Sequence, residues 1–311
     1  MRDQISDQAV SRVYSDPETC VVLHLGAHCT CDERLIFSLK RDKDLLDRLN
    51  TAVLRQKFFT ATVRDFTTER LRGRLATIPE QEELFEALIG THLVDRLVLS
   101  YESFMAAPPR VLAAGGLYVN ADQKARELRN LFADNAVDFL LTIRNPASFL
   151  PALFAMVGDA QDIDTFLGKI DVFSLRWSQV IAQIQQGAPD VPITVWCNED
   201  APFVWGKVLR TAMGIKTPDM LDGQFDIAKE IMTEQGRTAF EAYVTAKPPK
   251  NDAQAAKVIE IFLDRFADPD QLWEEQSLPG QSAEDVAELT RLYEEDVARI
   301  AAMPGVTLLA P

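Results

Sequence analysis

No apolar run in the chain approaches the roughly 18 residues needed to cross a bilayer. The first eight residues, Met1-Arg-Asp-Gln-Ile-Ser-Asp-Gln8, hold no apolar h-region, so no secretory leader is expected. Cysteine is scarce. Cys20, Cys29, Cys31 and Cys197 are too few and too clustered for a disulfide framework. Positive charge is also short: 32 Lys and Arg stand against 47 Asp and Glu, a net charge of -15. That excludes non-specific nucleic-acid binding, which needs a basic surplus. An anionic ligand must find a local basic pocket within a repelling overall field. These absences together predict a soluble cytoplasmic protein in a reducing compartment, with no nucleic-acid or membrane partner. A two-fold homodimer is the default for a chain of this size.

What is present is an ordinary globular composition. Apolar residues make up 47% of 311, enough for a large core that needs no covalent staple. Residues 20–25 (Cys-Val-Val-Leu-His-Leu), bounded by Gly26, read as a buried strand. Residues 95–101, 137–143 and 192–197 read as three more strands, and Val306-Thr-Leu-Leu309 as a late one. Helical patterns occupy 33–49, 121–133, 172–187 and 203–213, and Asn145-Pro146 opens another helix. From about 225 the pattern is mostly helical, over 225–246, 251–266 and 283–303. Ser282-Ala-Glu-Asp285 forms a capping box for the last of these. Strands alternating with helices predict an α/β fold, a parallel β-sheet flanked by helices with a largely helical C-terminal part. The expectation is a single domain over 1–311, with the helices of 225–303 packed on it.

The densest chemistry lies in His24-Leu-Gly-Ala-His-Cys-Thr-Cys-Asp-Glu33, a strand running through a Gly turn into a helix. Further along stand Leu99-Ser-Tyr-Glu-Ser-Phe104, Thr142-Ile-Arg-Asn-Pro-Ala-Ser-Phe-Leu-Pro-Ala-Leu-Phe154 and Val195-Trp-Cys-Asn-Glu-Asp200. Leu292-Tyr-Glu-Glu-Asp-Val297 and Pro304-Gly-Val-Thr-Leu-Leu-Ala-Pro311 close the chain. In order and spacing these segments resemble the bacterial sulfotransferase-like branch of the P-loop fold, a three-layer sandwich. The resemblance covers most of the chain. It implies 3′-phosphoadenylyl sulfate (PAPS) as donor, with 3′-phosphoadenosine 5′-phosphate as the spent nucleotide. It also implies a first loop of the pattern Gly-x-x-(Lys/Arg)-Thr-Gly-Thr-Thr. Backbone N–H groups of such a loop hold the 5′-phosphosulfate, and its basic residue neutralises charge during transfer.

The donor-binding positions implied are Gly26, Ala27, His28, Cys29, Thr30, Cys31, Arg144 and Ala152. Gly26 and Thr30 match the pattern. Cys29 replaces the basic residue, Cys31 the second Gly, and Asp32 and Glu33 the two hydroxyls. Two carboxylates close to an anionic donor oppose its binding. Arg144 matches the first half of the family's 3′-phosphate clamp, and Ala152 stands where its Ser belongs. Read without the family, Arg144 is a strand-end residue pairing with a local carboxylate. Glu102 sits where the family's catalytic base lies, and would take a proton from the acceptor. Its other reading is a solvated loop carboxylate or a cap partner. His92, ahead of its strand, is the poorer candidate for a base.

Other readings compete. His24, His28, Cys29 and Cys31 carry the right atoms for zinc or another borderline-soft metal, at a spacing unlike any common zinc finger. The alternative is that the cysteines are small buried hydrophobes and His28 a loop residue. Lys40, Arg41 and Lys43, then Arg64, Arg70, Arg72 and Arg74, then Arg126 and Arg129 form basic clusters. Each is either an anion funnel or a solvated face interleaved with acids. Trp177, Trp196, Trp205 and Trp273 read as core or interface aromatics.

Three functions therefore stand. The first is a sulfotransferase-like protein that has lost or altered its PAPS-dependent activity and binds another small molecule or a partner protein. The second is a working sulfotransferase with a divergent loop, moving a sulfuryl group from PAPS to a hydroxyl or amine, with Arg34 supplying the missing cation. The third is a metal-binding protein. The Gly-x-x-x-x-Gly-Lys-(Ser/Thr) signature of nucleotide hydrolases is absent, and no Lys follows Gly26 before Lys40.

Overall fold

The structure, a computed structural model, describes residues 19–31, 33–113, 115–158, 162–217, 220–272 and 278–311. Asp32 and Trp273, both singled out above, lie outside the described residues.

Among the described residues eight strands are formed: β1 Cys20–His24, β2 Thr51–Leu54, β3 Arg96–Ser100, β4 Leu112–Ala113, β5 Gly116–Leu117, β6 Ala136–Ile143, β7 Ile193–Cys197 and β8 Val306–Leu309. β4 and β5 make a small antiparallel pair. The other six form one sheet in the order β2-β3-β1-β6-β7-β8, with every pairing parallel. A parallel sheet needs crossover helices, so both of its faces are covered and its strands read as continuous apolar runs. β1 shows this directly: Val21, Val22 and Leu23 are fully buried although they alternate faces.

Val22, Val98, Leu140 and Trp196 point to one face, where Arg34–Leu39 and Ala201–Met213 cover them. Leu23, Leu99, Phe139 and Val195 point to the other, under Ile78–Ile89, Ala121–Leu131, Trp177–Gly187 and Ala283–Ala301. Two of these covering helices cross closely at Gly187. A Cβ there would sit 2.0 Å from the Asp122 carbonyl oxygen. Gly187→Ala therefore forces the helices apart and is expected to cost about 2 kcal/mol, readable as a lower urea midpoint at unchanged m.

The helical C-terminal part divides. Ala283–Ala301 joins the main core through Tyr293 and Ile300, and its Ser282–Asp285 capping box is formed in both directions. Glu234–Ala246 and Asp252–Phe266 lie further out, around a small core of Phe225, Met232, Phe240 and Ile259. The Arg210–Asp252 ion pair joins that layer to Ala201–Met213. Three expected helices are broken. The span 172–187 is a 3₁₀ turn at Val172–Ser174, extended at Leu175 and Arg176, and helical only over Trp177–Gly187. The span 33–49 becomes Arg34–Leu39, a 3₁₀ turn and Lys43–Arg48, then runs into β2, a strand absent from the sequence reading. The span 225–246 is cut at Met232, which bridges to Ala267.

Candidate functional site

β1 is central. The chain leaves it for β2 and β3 on one side, then crosses to β6, β7 and β8 on the other. The order reverses between β1 and β6. In open α/β sheets ligands bind at the carboxyl ends of strands at such a point. Residues 25–31 and Glu33, after β1, and Arg144, after β6, meet there.

The loop after β1 does not open at once. Leu25 N–H donates to Leu140 O and Ala27 N–H to Thr142 O, both at 2.9 Å, so the ladder with β6 continues past the strand. Thr142 N–H returns a 2.6 Å bond to Gly26 O. Gly26 has φ of +97°, and a Cβ there would lie 3.0 Å from Glu102 Cα. Glycine is thus required twice over, by conformation and by close approach. Thr30, the other matching residue, turns its hydroxyl back to Ala27 O at 2.6 Å. Residues 26–31 are buried apart from half-buried Cys29.

The two histidines face opposite ways. His24, at the end of β1, has Nδ1 2.7 Å from Ser100 Oγ and Nε2 3.1 Å from Thr142 Oγ1, and its ring stacks on Trp196. Cys31 Sγ lies 3.7 Å from both His24 Nε2 and Thr142 Oγ1. His28, beyond the turn, has Nδ1 2.8 Å from Tyr118 Oη and Nε2 3.1 Å from Ser103 Oγ. Its backbone N–H donates to the same Tyr118 Oη at 3.3 Å. Burial lowers the His24 pKa to about 3 and the His28 pKa to about 4, so both rings are neutral. Burial likewise raises Tyr118 far above the usual phenol range.

These positions correct the metal reading. Period-two alternation sends His24 to the face that holds Cys31, and the Gly26 turn sends His28 to the opposite face. His24, His28, Cys29 and Cys31 therefore do not converge. Among the described residues no group of three or more His, Cys, Asp or Glu side chains is arranged to hold an ion.

Arg144 is buried at the junction. Its Nη1 donates to Cys29 O and its Nε to Ser148 Oγ at 3.0 Å, while its own carbonyl accepts Trp177 Nε1–H at 2.8 Å. Neither sequence reading anticipated a guanidinium strapping the β1 loop through a carbonyl. Ser148, not Ala152, is the hydroxyl residue beside Arg144; Ala152 has no polar side-chain atom and is half-buried on Pro146–Val157. Glu199 accepts Asn145 N–H at 2.8 Å and Tyr293 O–H at 3.1 Å, and burial raises its pKa. Asn145 Nδ2 donates to Thr290 Oγ1 at 3.0 Å. The last helix is stitched across the ends of β6 and β7.

Glu102 packs its backbone on Gly26 and accepts Gln56 Nε2–H at 2.7 Å. It adjoins the loop. Arg34, the replacement cation considered above, instead pairs with Glu230 at 2.5 Å. Glu33 stands 4.0 Å from Arg55. His92 is exposed on the chain leading to β3. Ser100, Ser103, Tyr118, Thr142 and Ser148 are the partners that sequence reasoning missed. Only their strand-end and turn positions hinted at them. No family model, curated protein or solved structure matches the chain.

Proposed function

We propose that this chain is a sulfotransferase-like protein of three-layer α/β architecture that has lost PAPS-dependent transfer and acts by binding a small molecule or a partner protein. The observation that carries this reading is Arg144. The one basic residue matching the family's donor clamp is buried against Cys29 O and Ser148 Oγ. Support also comes from the loop itself. Ala27 and His28 N–H groups, which would line a phosphate cradle, donate to Thr142 and Tyr118. The basic loop position is Cys29, and Arg34 is held by Glu230. A working transferase would need these commitments undone before charge on a sulfuryl group could be stabilised.

The test is thermal stability at low salt with 3′-phosphoadenosine 5′-phosphate, paired with transfer of labelled sulfuryl from PAPS to hydroxyl and amine acceptors. A ligand at a hundred times its Kd stabilises a fold by about 2.7 kcal/mol. The expected outcome is no shift at millimolar nucleotide and no labelled product. A saturable upward shift with turnover restores the active sulfotransferase and ends this reading.

A further inference from the structure

Beside the β1 loop, on the face opposite His24, lies a cavity of about 570 Å³ between the helix Thr60–Asp65, the segment following β3 and the helix Ala121–Leu131. Its walls are apolar, with Val63, Phe104, Met105 and Leu128 among them. Three cations line it, Arg64, Arg110 and Lys124, against one carboxylate, Glu127. Lys124 is bound to that carboxylate at 2.7 Å. Arg64 and Arg110 are exposed at the cavity, and among the described residues neither forms an ion pair. Their sequence neighbours behave differently: Arg70 pairs with Glu83, Arg74 with Glu80, Arg126 with Asp122 and Arg129 with Asp190. In a chain of net charge -15, two guanidinium groups left without counter-ions at one apolar cavity form a local positive field.

The floor adds a hydroxyl. Tyr118 Oη accepts the His28 backbone N–H and lies 2.8 Å from His28 Nδ1, while Ser103 Oγ lies 3.1 Å from His28 Nε2. Ser103 lines the cavity and presents its hydroxyl there. An apolar chamber with a few convergent donors is the usual form of a small-molecule site. Guanidinium groups match the planar or tetrahedral oxygens of an anionic head.

We infer that this cavity binds an amphipathic organic monoanion, with an apolar body against the walls and a carboxylate or sulfate head at Arg64 and Arg110. The site is separate from the donor loop and stands whether or not nucleotide binds there.

The experiment is calorimetric titration of the full chain at pH 7.5 and low salt with four probes of equal chain length: octanoate, octyl sulfate, octanol and octylammonium. Either anion is expected to bind at least tenfold more tightly than octanol and octylammonium. The double variant Arg64→Gln/Arg110→Gln is expected to lose at least tenfold for the anions, with the unligated Tm unchanged because both side chains are exposed. Ser103→Ala is expected to weaken the anions by a smaller factor. Equal binding of octylammonium, no anion binding at 5 mM, or full affinity in the double variant each overturns the inference. Titration of 3′-phosphoadenosine 5′-phosphate into the same sample reports separately on the donor loop, so the two readings fail independently.

Discussion

Lowering the pH from about 6.5 to about 4.5 will remove on the order of 4 kcal/mol of folding stability through His24 and His28 alone. Both rings are buried and neutral, with pKa values near 3 and 4 in the fold, against about 6.5 in the unfolded chain. The sign follows from proton counting. Between these values the unfolded chain holds protons that the folded chain refuses, so stability rises with pH. The contribution is complete above pH 6.5 and falls away as the pH drops towards 4. Two such groups give a slope of about 2.7 kcal/mol per pH unit near pH 5. Urea unfolding at pH 7, 6 and 5 measures it. His24→Asn and His28→Gln should each lower stability at pH 7 and each reduce the slope by about half. Carboxylates titrate in all three proteins, so the difference between the slopes isolates the rings. A wild-type slope that either substitution leaves unchanged would show that the ring in question ionises inside the fold.

The two rings illustrate what the sequence made legible. Strands were readable because a sheet buried on both faces writes itself as short apolar runs bounded by Gly, Pro and Asn. β1, β3, β7 and β8 fall within the expected segments, and β6 begins one residue early, at Ala136. β2 did not stand out, since Thr51–Leu54 is four residues long and follows a helix with almost no turn. Which strand lies beside which was not legible, because pairing is fixed by packing between segments far apart in the chain. His24 meets Ser100 and Thr142 only because β1 sits between β3 and β6 in that register. His28 finds Ser103 and Tyr118 across 75 and 90 residues. A cluster of His and Cys close in sequence looked like one site, and strand alternation with one turn made it two.

Basic residues show the same limit. Arg64, Arg70, Arg72 and Arg74 are equivalent on the page as a run. The fold pairs Arg70 and Arg74 with glutamates, turns Arg72 to the Glu69 carbonyl, and leaves Arg64 at a cavity. The difference comes from the helix Ile78–Ile89, whose Glu80 and Glu83 reach back to two of the four.

Arg144→Met will cost about 3 kcal/mol of stability and loosen the β1 loop. The guanidinium's charge-assisted hydrogen bonds include those to Cys29 O and Ser148 Oγ, in a buried setting where it is 4% exposed. Methionine keeps most of the volume and removes both donors. A bond to a charged group contributes roughly 1.5–3 kcal/mol. The cation also holds down the pKa of buried Glu199, so its loss makes that carboxylate easier to protonate and weakens the link to Asn145 and Tyr293. Arg144→Lys keeps the charge but lacks the planar fork that serves two acceptors, and should cost about half as much. Equilibrium unfolding gives the free energies, and amide exchange across residues 25–31 reports the loop, where protection should fall in Arg144→Met before it falls in the sheet. A donor-binding arginine behaves otherwise: its removal abolishes nucleotide binding while leaving the empty fold as stable as before. Near-neutral stability in Arg144→Met, together with lost nucleotide affinity, would therefore turn Arg144 from a strap back into a clamp and reopen the donor site.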